Sequence, residues 1–383
     1  MSQFVPMRVR VEKNAVVRLK RVLTGNGKFN VAVGAQVSPS DIIGSATISS
    51  GFRIINLATL LSVAPSAVGK YLNRAIGQRI YRNELLAFKG GGLFSGKKVI
   101  TAPTDGILNS LNIKTGELRM SFFPRKEELP AGVFGIVEQI DAERGLMIIR
   151  TEVSRVHGMF GSGKLRDGIL HILDRRDTLV SKQMILAKHE NHILVGGSLF
   201  FKDAISSAIS SGANGIITGG INAIDYRSIA GNRLVFPSRL NNDVGISIVA
   251  CEGFGSIAIG EDIFEILRAY EDKFVSIDGN TGVIDLPSFS SDSIIRVRST
   301  KLPPVEDEDL ISQTGQDLTR FCELKLGLKV RIIGNAFAGE QGKVIAIDKS
   351  ETVMPSMVKD FLATIESSRR KIQIPVANCE VIL

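Results

Sequence analysis

A basic, glycine-rich segment at residues 88–99, FKGGGLFSGKKV, contains residue types that suit binding to a phosphate-rich ligand. Glycine has no side chain to cover the backbone amides, and lysine supplies positive charge beside them. Tyr71 and Tyr81 precede the segment and could stack on nucleic-acid bases. The candidate polyanion-binding residues of this region are Arg74, Arg79, Arg82, Lys89, Lys97 and Lys98. The alternative interpretation is a mobile hairpin tip that its lysines keep soluble.

Two glycine pairs, Gly196–Gly197 and Gly219–Gly220, each end an apolar segment that is followed by an amphipathic one. In a strand–helix unit, this is the position at which helix amides bind phosphate groups or small ligands. Glu252 ends the next apolar segment and completes this candidate ligand-binding set. The same glycines are also typical of ordinary turns between helices and strands.

Residue patterns for catalysis or metal binding are sparse. His189 and His192 are three residues apart, and on a strand they would point to opposite faces, so no metal pair is predicted. The segment GMFGSGKL has the spacing of a phosphate-binding loop, but Leu165 replaces the hydroxyl residue that would hold Mg²⁺, and the following residues predict a strand. No nucleophile–base pair is visible. The sequence therefore predicts no ATPase, no metal and no cofactor, and it favours a protein that is not an enzyme.

The positive charge is concentrated in the first third of the chain. The formal net charge is +8, yet residues 1–130 hold 19 Lys and Arg against 7 Asp and Glu, and the remainder holds 28 against 32. Such asymmetry favours a polyanionic partner, either RNA or DNA or an acidic protein assembly. The alternative is a soluble basic domain that docks on an acidic neighbour.

Cysteine usage and hydropathy indicate the compartment. Cys251, Cys322 and Cys379 are far apart and form no CxxC pair, so we expect reduced thiols. The first residues lack the apolar stretch of a signal peptide, and no uncharged apolar run is long enough to span a bilayer. We therefore expect a cytoplasmic protein with no integral membrane segment, and the sequence leaves a homo-oligomer open.

Hydrophobic periodicity predicts a mixed α and β fold, made mainly of β modules with a central α/β domain. Apolar and polar residues alternate in the N-terminal part, whereas strand-like and helix-like segments alternate later, as in a parallel α/β unit. The C-terminal module is predicted to contain a helical segment at residues 354–371. The predicted boundaries are a basic β domain at 1–125 with a helical insert at 56–75, a β extension at 126–181, the α/β domain at 182–285, a linker at 286–326 and a β barrel at 327–383.

Part of the N-terminal domain resembles the barrel-sandwich hybrid of biotinyl and lipoyl carrier domains. The residues that carry the resemblance are Gly77-Gln78, Glu84-Leu85-Leu86-Ala87, Ala102-Pro103, Asp105-Gly106 and Gly116. Carrier domains place their modified lysine about seven residues before the Ala-Pro, where this chain has Ser95. The resemblance therefore implies the fold without a covalent cofactor.

The C-terminal module resembles a KOW motif in the pattern Gly327, Val330, Ile332, Gly334, Phe337, Gly339, Gly342 and Val344. Gly342 is predicted to form the tight turn between two alternating strands. The resemblance implies a small five-stranded barrel that contacts RNA, ribosomes or transcription machinery. Its candidate polyanion-binding residues are Lys329, Arg331 and Lys343, but residues 327–383 carry a net charge of only +2. A protein partner therefore suits this barrel as well as RNA does.

The segment LATLLSVAPSAVGKYLNRAI has a helical apolar stripe and resembles a helix-turn-helix. That motif would present Ser66, Ala67 and Lys70 to a major groove. Because the segment lies between two predicted β regions, its apolar stripe is better explained as a cover for the β core.

The sequence as a whole favours a non-enzymatic scaffold or adaptor that docks on a nucleic-acid-containing or other acidic macromolecular assembly. The alternative is an enzyme or sensor that binds a phosphorylated small molecule in the central α/β domain.

Overall fold

The computed structural model describes residues 3–23, 26–48, 51–91, 96–229, 245–303, 320–334 and 337–383. Within these ranges strands far outnumber helices and form several sheets, so the predicted mixed fold with mainly β structure is confirmed at this level. None of the helices in these ranges has the length and apolar character needed to cross a bilayer.

The first part of the chain is almost entirely β structure. Its strands are β1 (Phe4–Arg8), β2 (Val11–Val22), β3 (Asn26–Phe29), β4 (Gln36–Val37), β5 (Ile42–Ile48), β6 (Phe52–Asn56), β7 (Arg79–Ile80), β8 (Leu85–Lys89), β9 (Lys98–Thr101), β10 (Gly106–Asn112), β11 (Glu117–Ser121), β12 (Arg125–Pro130), β13 (Gly135–Asp141) and β14 (Leu146–His157). Its helices are α1 (Leu57–Leu61) and a 3₁₀ helix (Pro65–Tyr71).

The second part combines strands with short helices. Its strands are β15 (Phe160–Ser162), β16 (Leu165–Ile172), β17 (Leu179–Val180), β18 (His192–Phe200), β19 (Gly215–Ile221), β20 (Ser247–Phe254), β21 (Phe274–Asp278), β22 (Val283–Pro287), β23 (Arg320–Glu323), β24 (Lys329–Ile332), β25 (Gln341–Ile347), β26 (Thr352–Val353), β27 (Lys359–Asp360), β28 (Leu362–Glu366), β29 (Lys371–Pro375) and β30 (Cys379–Ile382). Its α-helices are α2 (Lys202–Ser210), α3 (Ala223–Ile229), α4 (Glu261–Arg268) and α5 (Ser293–Ser299), with 3₁₀ helices at Lys182–Met184, Ala187–His189 and Val376–Asn378.

The chain divides into two compact units. Unit 1 comprises Met1–Leu19, Gly132–Ile136 and Arg150–Leu383, and unit 2 comprises Lys20–Ala131 and Val137–Ile149.

Unit 2 contains a small module with its own core. The four-stranded sheet has the order β6-β11-β10-β7, and β8 pairs with β9 in a separate hairpin. The core cluster of this module draws its buried side chains only from residues 57–120, among them Leu57, Leu61 and Val68 of the helical insert. The insert therefore covers the β core, as its apolar stripe predicts. We call residues 51–123 the basic module.

Unit 1 contains the predicted parallel strands. Within its large sheet the strand order is β15-β20-β19-β18-β16-β21-β22-β14, and the pairs β16–β18, β18–β19 and β19–β20 are parallel. Helices α2 and α3 lie in the connections between these strands, as the strand–helix alternation predicts. The residues after GMFGSGKL form β16, so the prediction of a strand there is confirmed.

A second sheet of unit 1 holds the C-terminal strands in the order β23-β1-β30-β24-β25-β28-β29. Residues Phe4–Arg8 are predicted to belong to the N-terminal domain, but here they pair with β30 and β23. Val5 of this strand is buried in the core of the sheet. Local sequence pattern does not reveal such a pairing, because the partners are more than 300 residues away along the chain.

Two sequence predictions in the C-terminal region are wrong. Residues 354–371 form strands rather than a helix, and the alternating burial of Ala363 and Ile365 on β28 shows the two-residue period that was overlooked. Gly342 lies within β25, where an added Cβ would be 2.5 Å from the Glu366 carbonyl oxygen. The glycines of the pattern that have positive φ angles are instead Gly327, Gly334 and Gly339.

Part of the predicted linker at 286–326 has regular structure. The segment contains the end of β22, helix α5 and strand β23, and Ile294 and Val297 of α5 are buried. Residues 304–319 of the predicted linker lie outside the described residues.

Candidate nucleic-acid interface

The four-stranded sheet of the basic module has one core face and one solvent face. Leu118 and Met120 of β11 are fully buried, and Arg119 between them is exposed, because successive side chains of a strand point to opposite faces. Strand register then identifies the other residues of the solvent face, since directly paired residues share a face. We call this set the outer face: Phe52, Ile54, Arg79, Ile107, Ser110, Arg119 and Ser121.

Cross-strand pairing orders the outer face in two rows, which run Phe52–Ser121–Ile107–Arg79 and Ile54–Arg119–Ser110. The first row crosses all four strands, and the second crosses three. A third row, Asn56–Glu117–Asn112, contains the carboxylate of this part of the sheet. Serine, arginine and large apolar side chains therefore occupy the first two rows, and a negative charge lies at one end.

Arginine side chains lie over aromatic rings at both ends of the outer face. The Arg119 Cζ atom lies 3.8 Å from the ring centroid of Phe52, and the Arg79 Cζ atom lies 5.7 Å from that of Phe123. Tyr81 meets the same Phe123 ring edge-on at a centroid distance of 5.6 Å. Within the described residues neither Arg79 nor Arg119 forms an ion pair with a carboxylate. Their charges are therefore available to an anionic ligand.

Large apolar side chains are exposed on the same face. Phe52 is 49% exposed and Ile54 is 56% exposed, both on the edge strand β6. Contiguous exposed apolar surface of this kind marks a binding site more often than isolated exposed residues do.

The net charge of the protein comes from this module. Residues 51–123 contain ten Lys and Arg and three Asp and Glu, a net charge of +7 out of the total of +8. Unit 2 as a whole also carries +7, with 16 basic residues against 9 acidic ones, and unit 1 carries +1, with 31 against 30. The module is therefore the strongest candidate for an anionic partner.

The predicted cations of the basic module have different surroundings. Lys89 Nζ donates to the Leu61 and Ser62 carbonyl oxygens at 3.3 and 3.2 Å, and Lys98 Nζ donates to Ser62 Oγ at 2.7 Å. These two lysines lie opposite each other on the β8–β9 hairpin. Their ammonium groups thus donate to hydrogen-bond acceptors at the C-terminal end of α1. Lys97 Nζ lies 5.4 Å from the exposed ring of Phe88. Residues 92–95 of the glycine-rich tip, which include Ser95, lie outside the described residues.

The three predicted arginines upstream are all exposed. Arg74 forms a solvent-exposed ion pair with Glu84 at 3.3 Å, which reduces its availability. Arg82 is held through its backbone, where its N–H donates to Asp105 Oδ1 at 2.7 Å. Arg79 belongs to the outer face, so of these three it has the most direct place in the candidate interface.

The predicted cations of the C-terminal strands lie among carboxylates. Lys329 and Lys343 pair across β24 and β25 and line a groove of about 500 Å³. The acidic residues of that groove are Glu261, Asp262, Glu265 and Glu366. Four carboxylates beside two lysines disfavour a phosphate backbone at this groove.

Arg331, the third predicted cation of the C-terminal region, is only 2% exposed and cannot contact a polyanion at the surface. Its guanidinium lies 2.6 Å from Glu252 Oε2 and 2.9 Å from Glu380 Oε2. Arg10 reaches the other oxygen of Glu252 at 2.6 Å and also pairs with Asp262 at 3.0 Å. Burial alone would lower the pKa of Arg10, but the charge of Glu252 and its hydrogen bond outweigh this and raise it.

Glu252 is therefore occupied, and the prediction that it binds a ligand is corrected. Its side chain is fully buried, and besides Arg10 and Arg331 it accepts a 2.8 Å hydrogen bond from the Gly260 N–H. We call Arg10, Glu252, Asp262, Arg331 and Glu380 the buried ion cluster. The cluster connects strands β20, β24 and β30 with helix α4 within unit 1.

The glycine pairs of the α/β region pack against the protein's own backbone. A Cβ on Gly197 would lie 1.8 Å from the Thr178 carbonyl oxygen, and one on Gly220 would lie 2.0 Å from the Gly255 carbonyl oxygen. Cβ atoms on Gly196 and Gly219 would likewise lie 2.4 Å from Phe200 and 1.9 Å from the Ile257 carbonyl oxygen. Other parts of the chain therefore already occupy the space beside these four glycines.

The histidines of unit 1 lie closer together than the sequence predicts. His189 ends a 3₁₀ helix and His192 begins β18, so they are not on one strand, and their ring centroids are 6.4 Å apart. His171 lies 5.1 Å from His189, and its Nδ1 is 2.9 Å from Glu271 Oε1. His171, Glu271 and the exposed Asp272 could together approach a metal ion. His189 Nδ1 accepts the Leu186 N–H at 3.1 Å, which places the proton of its neutral ring on Nε2.

A scan against models of known protein families finds no match for this chain, and a search of the curated proteins finds no match either. The resemblances to carrier domains and to the KOW motif therefore stay predictions that rest on the residues quoted for them.

Sequence reasoning found Arg79 and Tyr81 but missed Phe52, Arg119 and Phe123. The alternation around Arg119, with Leu118 and Met120 on either side, was a signal that this arginine faces solvent. Its contact with Phe52 depends on the pairing of β6 with β11, two strands separated by 60 residues of sequence.

Proposed function

We propose that this chain is a non-enzymatic scaffold or adaptor that docks on a nucleic-acid-containing assembly, and that the basic module binds the nucleic acid. The observation that carries the proposal is the net charge of +7 within residues 51–123, in a protein whose other residues are nearly balanced.

The surroundings of the cations support this assignment. Arg79 and Arg119 lie on the outer face beside aromatic rings, whereas Lys329 and Lys343 share a groove with carboxylates. A polyanion gains most where cations lack acidic partners, because each phosphate that a free cation neutralises releases a counterion. The barrel is accordingly the better candidate for a protein contact within the assembly.

The test compares two triple variants of the full chain with the wild-type protein. One variant removes three charges from the module (Arg79→Gln, Arg82→Gln, Arg119→Gln), and the matched control removes three from the barrel (Lys329→Gln, Lys343→Gln, Arg369→Gln). Fluorescence anisotropy measures binding to a labelled U12 RNA from low to moderate salt.

We expect wild-type affinity to fall steeply with salt. The module variant should bind more weakly, and its log–log salt slope should be shallower by roughly 0.7 for each lost phosphate contact. The barrel variant should keep the wild-type slope. Absence of salt-dependent binding in the wild type, or equal losses in the two variants, would contradict the proposal.

A further inference from the structure

The outer face combines stacking surfaces with arginines that have no carboxylate partner among the described residues. This combination indicates which form of nucleic acid the module binds. We infer that the outer face binds single-stranded nucleic acid by stacking unpaired bases on Phe52 and on the Arg79–Phe123 pair. This inference rests on the proposed function, because it assigns a ligand class to the same module.

The Phe52–Arg119 pair provides the first stacking position. The ring is about half exposed on an edge strand, and the guanidinium lies 3.8 Å from its centroid. Aromatic rings and guanidinium planes both accept the face of any base, and the positive charge also attracts the adjacent phosphate. One pair thus supplies a stacking surface and a phosphate contact together.

The second stacking position lies at the opposite edge of the sheet. Arg79 is three strands away from Phe52 along the first row, which at about 4.8 Å per strand is roughly 14 Å. Tyr81, packed edge-on against Phe123, extends this second surface. The hydroxyl groups of Ser110 and Ser121 lie between the two positions and can hydrogen-bond to bases or sugars.

A base-paired duplex cannot make these two stacking contacts. Neighbouring bases of a duplex stay stacked at about 3.4 Å and keep their faces covered. A ligand that places one base on Phe52 and another on the Arg79–Phe123 pair must instead expose a face of each base. An unpaired strand can do this, because its bases are free to turn outward onto protein rings.

The experiment uses the full-length protein and four probes of equal length: U12, dT12, a 12-base-pair duplex and an abasic 12-mer. The abasic probe keeps the phosphates but has no bases, so it isolates the contribution of stacking. The variants are Phe52→Leu, which keeps an apolar side chain, and Arg119→Lys, which keeps the charge. The matched control is Phe321→Leu, since Phe321 is an exposed phenylalanine (68%) of unit 1.

Wild-type protein should bind U12 or dT12 at least tenfold more tightly than the duplex or the abasic probe. The comparison of U12 with dT12 shows whether RNA or DNA is preferred. Phe52→Leu should weaken single-strand binding about tenfold with an unchanged salt slope, because a stacking surface is lost and no charge is removed. Arg119→Lys should weaken it in the same way, and Phe321→Leu should match the wild type.

The inference is overturned if the duplex or the abasic probe binds as tightly as U12 and dT12, or if Phe52→Leu retains full single-strand affinity. In either case salt-dependent binding through the module can persist, and the proposed function stands. If no probe binds the wild type, the proposed function fails as well. Melting temperatures of both variants equal to the wild-type value establish that the fold is intact.

Discussion

Arg119 and Arg331 show how differently two regions of this molecule use the same side chain. Arg119 lies on an exposed strand of the basic module, stacked on Phe52 and without a carboxylate partner among the described residues. Arg331 is buried in unit 1 between Glu252 and Glu380. The first arrangement leaves a charge for a ligand, and the second neutralises it within the fold. A count of basic residues therefore identifies a binding region only once the acidic partners of those residues are known.

The largest expected effect of a single substitution lies in the buried ion cluster. Glu252→Ala would leave Arg10 and Arg331 buried without their shared counter-charge, which typically costs about 3–5 kcal/mol of unfolding free energy. The control Arg119→Ala removes an exposed cation–aromatic contact that contributes about 0.5–1 kcal/mol. Urea denaturation of both variants measures the difference. Equal losses would break the contrast between the two arginines.

The glycines of the α/β region provide the next test. Gly197→Ala places a Cβ where the structure has the Thr178 carbonyl oxygen, so we expect destabilisation of about 1–3 kcal/mol from overpacking. Gly90→Ala, in the basic module, is the matched control, because its added Cβ meets no atom within 4 Å. A thermal melt of each variant decides the point. An unchanged melting temperature for Gly197→Ala would mean that the space is open to a ligand after all.

A smaller expected effect is the change in the free energy of unfolding with pH that His189 causes. Burial, together with the nearby His171, Lys188 and His192, lowers the pKa of His189 below its usual value of about 6.5. The unfolded chain therefore binds the proton more readily, so this histidine stabilises the fold above pH 6.5 and the contribution is lost as pH falls below that value.

His189→Asn keeps an acceptor for the Leu186 N–H and removes the titration. We expect the variant to lose less unfolding free energy than the wild type between pH 7.5 and pH 5.5, as measured by urea denaturation at both values. Some loss should persist, because burial also lowers the pKa of His157. An identical loss in wild type and variant would show that His189 is not the titrating group.

Local pattern in the sequence was sufficient for the main elements but not for the partners of charged residues. Alternation predicted strands, and strand–helix alternation predicted the parallel unit, because both depend on neighbouring residues. The burial of Arg331 depends on Glu252, 79 residues earlier in the chain, and the pairing of Arg119 with Phe52 depends on sheet register. The false helix at 354–371 arose because the apolar residues of β28 fit a helical period over so short a stretch.

Photo-cross-linking can locate the bound nucleic acid on the chain and so test whether the basic module binds it. Full-length protein would be irradiated in complex with U12 that contains 4-thiouridine, and the cross-linked peptides identified by mass spectrometry. We predict cross-links within residues 51–123, in the peptides that contain Phe52 and Phe123. In the Phe52→Leu variant, the cross-link in the peptide that contains position 52 should be lost. Cross-links confined to strands β24 and β25, around Lys329 and Lys343, would contradict binding of the nucleic acid by the basic module.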